Sequence, residues 1–135
     1  MPELIGLLGD SDTNVQVTAI VSLYCIGAAA QDAVPALAPL INHTNILVRA
    51  QAKFALGRIH SQPTVAVPAL IANLALRDRN THVTLQALAE FGTEAKSAVP
   101  AIVSLLNDPN IHVRSSANNA LKRIDPEAAA AAGIR

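Results

Sequence analysis

The chain has 135 residues, 51% of them apolar, and ten basic side chains balance ten acidic ones. That is too apolar for a disordered chain and long enough to bury one core. A net charge of zero argues against a general grip on phosphate backbones, and a single cysteine, Cys25, excludes an internal disulfide framework. The start, MPELIGLLGD, has no basic n-region, and no apolar run approaches the roughly 20 residues of a bilayer span. Neither a signal peptide nor a membrane helix is expected, and the compartment stays open.

Two markers recur along the chain. Val-Pro stands at Val34-Pro35, Val67-Pro68 and Val99-Pro100, with Met1-Pro2 in the place of a fourth copy, so the prolines are 33, 33 and 32 residues apart. The pairs Ser22-Leu23, Ala55-Leu56, Ala87-Leu88 and Ala120-Leu121 follow at spacings of 33, 32 and 33. One period shared by two independent markers divides the chain into a single domain of four repeats. They cover residues 1–33, 34–66, 67–98 and 99–125, with an Ala-rich tail at 126–135. Beginning within a repeat signature is what a segment of a longer protein would show.

Each repeat reads as two helices. The first opens with proline in its first turn, where the fixed φ helps and the missing N–H costs nothing. Repeat one supplies Leu4, Ile5, Leu7 and Leu8, then a turn from Gly9 to Asn14, and Gly27 as the C-cap of its second helix. Repeat two carries Pro39 inside its first helix, where a kink is expected. Its second helix places Val48, Ala52, Ala55, Leu56 and Ile59 on one face at about 100° per residue. Repeat three is one residue shorter, and its turn, Arg77-Asp-Arg-Asn-Thr-His, does not align with the others. In repeat four Asp108 before Pro109 predicts an N-cap, and the buried stripe is Val113, Ala117, Ala120, Leu121 and Ile124.

The run "VPAL…LL.D.…VR..A..AL..I" followed by "G..A..AVPAL" resembles the HEAT repeat, in particular its short bacterial form associated with phycobilisome lyases. The resemblance spans Pro2 to Ile124. It implies an all-α fold, a right-handed α-solenoid of about four antiparallel helix pairs, with second helices lining the concave side. It also implies an inter-repeat ladder of Arg and turn Asp. Asp108 with Arg114 keeps both partners, whereas Arg49 faces His43 and Gln16 faces Asp10, so the ladder is incomplete. Satisfying turn carbonyls is the main role expected of these arginines.

No nucleophile, base and orienting group come together in the sequence, and no G-x-S-x-G, P-loop, HExxH or CxxC is present. Cys25 reads as a passive thiol. His43, His60, His82 and His112 form no i, i+4 pair, so neither a metal site nor a cofactor is expected.

Opposite the buried stripe lie Val17, Val21 and Tyr24 in repeat one, Ala50, Phe54 and Gly57 in repeat two, and Ser115, Asn119 and Lys122 in repeat four. Either a neighbouring linker covers the apolar members or they form an interaction surface. On the second reading, Val21, Tyr24 and Phe54 make a partner-binding platform with Lys53 as its charged rim. The last repeat is polar there, as a capping repeat should be. The first lacks such an exterior, which predicts weak self-association through its end or an upstream repeat. The expected function is therefore non-catalytic binding of another protein or peptide. A bilin-lyase-type accessory or chromophore-binding protein is the alternative. A nucleic-acid binder, which would want a basic aromatic groove, is the least supported.

Overall fold

Every second helix begins behind the same small turn. The computed structural model describes residues 2–134, with α1 Pro2–Leu7, α2 Thr13–Ile26, α3 Val34–Leu37, α4 Ile46–Ile59, α5 Pro63–Leu76, α6 Thr81–Glu90, α7 Val99–Val103, α8 Ile111–Ile124 and α9 Pro126–Ala131. Two residues before the cap, a side chain accepts the cap's own N–H: Asp10 from Asp12, Asp78 from Asn80 and Asp108 from Asn110 at 2.8 Å each, and His43 Nδ1 from Asn45 at 3.0 Å. In three of the four, the cap then accepts from the first helical turn: Asp12 from Asn14, Asn45 from Leu47 and Val48, Asn110 from His112. The N-cap of α8 is thus Asn110 rather than Asp108, because the short side chain two residues earlier is spent on closing the turn. Asn110→Ala should cost about 1 kcal/mol of stability. A thermal melt unmoved by that change would show that the cap contributes nothing.

The elements pair into an α-solenoid. Consecutive second helices, α2 on α4, α4 on α6 and α6 on α8, make the most extensive contacts in the molecule. The first-helix row is looser and more broken, the arrangement expected of a stack curved toward its second helices. The stripe predicted for α4 and α8 is buried throughout, from Val48 to Ile59 and from Val113 to Ile124. It belongs to one continuous core that runs from Leu8 to Ala129. Small alanines at Ala52, Ala55, Ala117 and Ala120 let neighbouring helices approach closely.

Proline and glycine shape the outer row. Pro39 tightens its segment to a 3₁₀ helix, Ala38–Asn42, because its ring cannot sit in a regular i to i−4 ladder. Gly27 and Gly92 take φ of 71° and 57° and turn the chain into the 3₁₀ linkers Gly27–Ala33 and Gly92–Ala98. Gly27 also interrupts Thr13–Asn42, a helical run apolar and long enough by composition to cross a membrane. That run is two folded-back limbs whose buried side chains, Ile20, Leu23, Leu37 and Ile41 among them, are core. The tail is a short helix, α9, capped by Asp125 and resting Ala129 on the core.

Repeat three departs from the expectation that Pro68 opens its first helix. That helix starts at Pro63, after left-handed Gln62, and Pro68 lies inside it. Thr64 and Pro68 are both exposed, so water can take the place of the missing N–H. From Pro68 to the turn residue Asn80 is twelve residues where Pro35 to Asn45 is ten. From Asn80 to Leu88 is eight where Asn45 to Leu56 is eleven. The turn has moved along the chain, and α6 has 10 residues against the 14 of α2, α4 and α8.

Candidate functional site

The displaced turn places Asp78 under the second helix of the preceding repeat. Its carboxylate receives Lys53 Nζ at 2.9 and 3.0 Å and lies 3.6 Å from Arg49 Nε. Asn73 Nδ2 reaches it at 3.4 Å while also donating to Asn42 Oδ1 at 2.9 Å. Thr84 Oγ1 donates to Asn73 Oδ1 at 2.9 Å, so one polar network runs from α4 through α5 to α6. Burial would raise the Asp78 carboxyl, but hydrogen bonds from Lys53 and the Asn80 N–H, with the Lys53 charge, hold it below the usual aspartate value. Lys53 lies below the ordinary lysine value because burial outweighs the pull of Asp78.

Lys53 is therefore not a charged rim. It is fully buried, since position 53 points a quarter-turn away from Phe54 and into the contact with repeat three. The ladder also differs from Asp108 with Arg114 as a side-chain pair. Arg114 Nη1 donates to the backbone carbonyls of Asp108 at 2.7 Å and Pro109 at 3.0 Å. Arg49 does the same to His43 at 2.9 Å and Thr44 at 3.1 Å. Each arginine closes its own turn. The acids are used across repeats instead: Asp78 serves Lys53 and Arg49, and the Asp108 carboxylate pairs with Arg77.

On the second-helix face, Val21, Tyr24 and Phe54 remain 39%, 40% and 38% exposed. Val17 is partly buried against the core and Gly57 is buried, so neither belongs to the free surface. Tyr24 and Phe54 wall a hollow of about 300 Å³ whose other sides are Gly57, Arg58, Gln86, Ala87 and Glu90. Its floor exists because Gly57 has no side chain: a Cβ there would come within 2.9 Å of Ala87 Cα. Arg58 carries its guanidinium 6.0 Å over the Tyr24 ring, a cation–π arrangement that orients both groups. Val21 stays exposed on α2 but does not line this hollow.

A second hollow of about 260 Å³ continues the first between α6 and α8. The two share Gln86 and Glu90, and the second adds Asn119 and Arg123, whose Nη1 meets Glu90 Oε1 at 3.3 Å. The result is an open trough that is aromatic toward α2 and polar toward α8. At the N-terminal end a separate apolar hollow of about 250 Å³ lies among Leu4, Leu7, Val15 and Ala19. Cys25 is exposed on α2 and lines neither part of the trough. Helical phase puts Gly57 on this face, but the parts that Gly57 and Arg58 play carry no signal in the sequence alone, because they depend on which helix lies opposite.

Comparison with known proteins agrees with this architecture. A family model described as HEAT repeats matches residues 1–88 and, overlapping them, 67–132. No curated protein matches. Among solved structures, an engineered protein superposes with a TM-score of 0.72 at 27% identity, covering 97% of this chain and 67% of its own. A second engineered protein gives 0.76 at 23%, covering 98% and 69%. A designed armadillo repeat protein, solved in complex with the peptide (KR)4, gives 0.75 at 19%, covering 97% and 69%.

Proposed function

The chain belongs to the HEAT repeat family, and we propose that its second-helix face, the concave side of the solenoid, is a non-catalytic docking surface for an extended peptide segment of another protein. The observation that carries this reading is the trough itself. Tyr24 and Phe54, from successive second helices, stand half-exposed around one hollow that adjoins the next across Gln86 and Glu90. Aromatic side chains of this kind lose little entropy on binding and act as interface anchors. An open trough suits a chain laid along it better than a small molecule, which prefers to be enclosed. The likeness in fold to a designed repeat protein holding a peptide supports the same mode. Lyase-type chemistry would want a thiol or an acid–base pair in the cleft, and Cys25 is not there.

Selection of a displayed peptide library on the protein tests the proposal. Enriched peptides should lose roughly 1–2 kcal/mol of affinity when either Tyr24 or Phe54 becomes Ala, with the melting temperature nearly unchanged. Val103→Ser, an exposed position on a first helix, should leave affinity intact. Peptides indifferent to both aromatic truncations would move the docking surface elsewhere. A sharp fall in melting temperature on either truncation would make that residue core rather than surface.

A further inference from the structure

The charge of the trough is not balanced. Three exposed charged side chains line the two hollows: Arg58, Glu90 and Arg123. Glu90 is engaged by Arg123, which removes both from the account. Among the described residues Arg58 has no carboxylate within ion-pair distance, so it is the surplus charge. Arg58 is also pre-oriented, because its guanidinium lies over Tyr24 at the mouth of the hollow. Cation–π contact leaves the guanidinium edge, with its forked N–H donors, free to meet a planar anion.

We propose that the trough selects an acidic segment bearing a large apolar side chain, the side chain entering the hollow over Gly57 and a neighbouring carboxylate meeting Arg58. This deepens the docking reading and rests on it. The (KR)4 peptide held by the designed armadillo protein has the opposite sign and would be repelled here. Nucleic acid is the weaker match, because one surplus cation neutralises too few phosphates on a chain with no net charge.

Four fluorescein-labelled probes test the assignment by anisotropy at low salt. These are the heptapeptide Gly-Glu-Glu-Phe-Glu-Glu-Gly, its Lys-for-Glu analogue, its Ser-for-Phe analogue and a thymidine octanucleotide. The acidic Phe peptide should bind at least tenfold more tightly than any other, and Arg58→Glu should reverse the order of the acidic and basic peptides. Arg58 is exposed, so circular dichroism should show that variant folded. Equal or tighter binding of the basic peptide would overturn the charge assignment while leaving peptide docking in place. Equal binding of the Ser peptide would remove the hollow from recognition. Equal binding of the oligonucleotide would make the site a general anion patch. Binding of no peptide at all would overturn both this inference and the docking reading beneath it.

Discussion

Asp78→Ala should be among the most damaging single changes in the molecule, costing roughly 2–4 kcal/mol, because it leaves the Lys53 ammonium buried without its counter-ion. Lys53 is fully buried, and Asp78 is its only hydrogen-bond acceptor among the described residues. Lys53→Met should cost far less. It removes the buried charge together with the need for a partner, and Asp78 keeps the Asn80 N–H, Arg49 nearby and some contact with water. The pH dependence follows from the shifts. Asp78 titrates below its unfolded value, so its contribution is present above about pH 4 and is lost as pH falls through the folded value. Lys53 titrates below the ordinary lysine value, so the folded state sheds that proton first, and the penalty of its charge is relieved as pH rises toward about 10.4. The deficit of Asp78→Ala relative to the parent should therefore be largest near neutral pH and shrink toward both extremes. Denaturant melts at several pH values measure it. Equal losses for Asp78→Ala and Lys53→Met would show that the pair, rather than an orphaned charge, sets the stability.

That network marks where sequence reasoning stopped. The stripe of Val48, Ala52, Ala55, Leu56 and Ile59 was legible because helical periodicity is a local property, and burial follows from it wherever the helix docks. Tyr24 and Phe54 were legible for the complementary reason, as large apolar side chains off the stripe. Lys53 is not legible in the same way, because a lysine next to an outward aromatic reads as solvent-facing. Its true direction depends on an acid twenty-five residues away in a turn whose register had moved. Asp78 itself lay in the one turn that did not align. The available signal was polar residues, Asn73 and Thr84, at positions of α5 and α6 that the repeat would otherwise fill with apolar ones. The position of Gly57 on this face is legible from helical phase, but its role is not: a missing side chain shapes a surface only once the opposing backbone is placed against it.

Two glycine substitutions with opposite expected signs test that last point. On propensity alone, alanine in place of a helical glycine stabilises by about 0.5–1 kcal/mol, since glycine loses more backbone freedom on folding. Gly6, in α1, should follow this rule, because a Cβ there meets no heavy atom within 4 Å. Gly57 should not. A Cβ on it would lie 2.9 Å from Ala87 Cα, 3.3 Å from Ala87 Cβ and 3.4 Å from Glu90 Cγ. The nearest of these is backbone, which cannot swing aside as a flexible side chain does, so α4 and α6 must part. These helices form one of the main contacts of the stack, and overpacking of a close-packed interface costs about 1–3 kcal/mol. That exceeds the propensity gain. Gly57→Ala should therefore lower stability by about 1–2 kcal/mol net, and the added methyl should raise the floor of the hollow between Tyr24 and Phe54. Denaturant unfolding of both variants decides the matter. If Gly57→Ala proved as stable as Gly6→Ala, the two helices would have room between them, and the hollow would owe its shape to something other than the missing side chain.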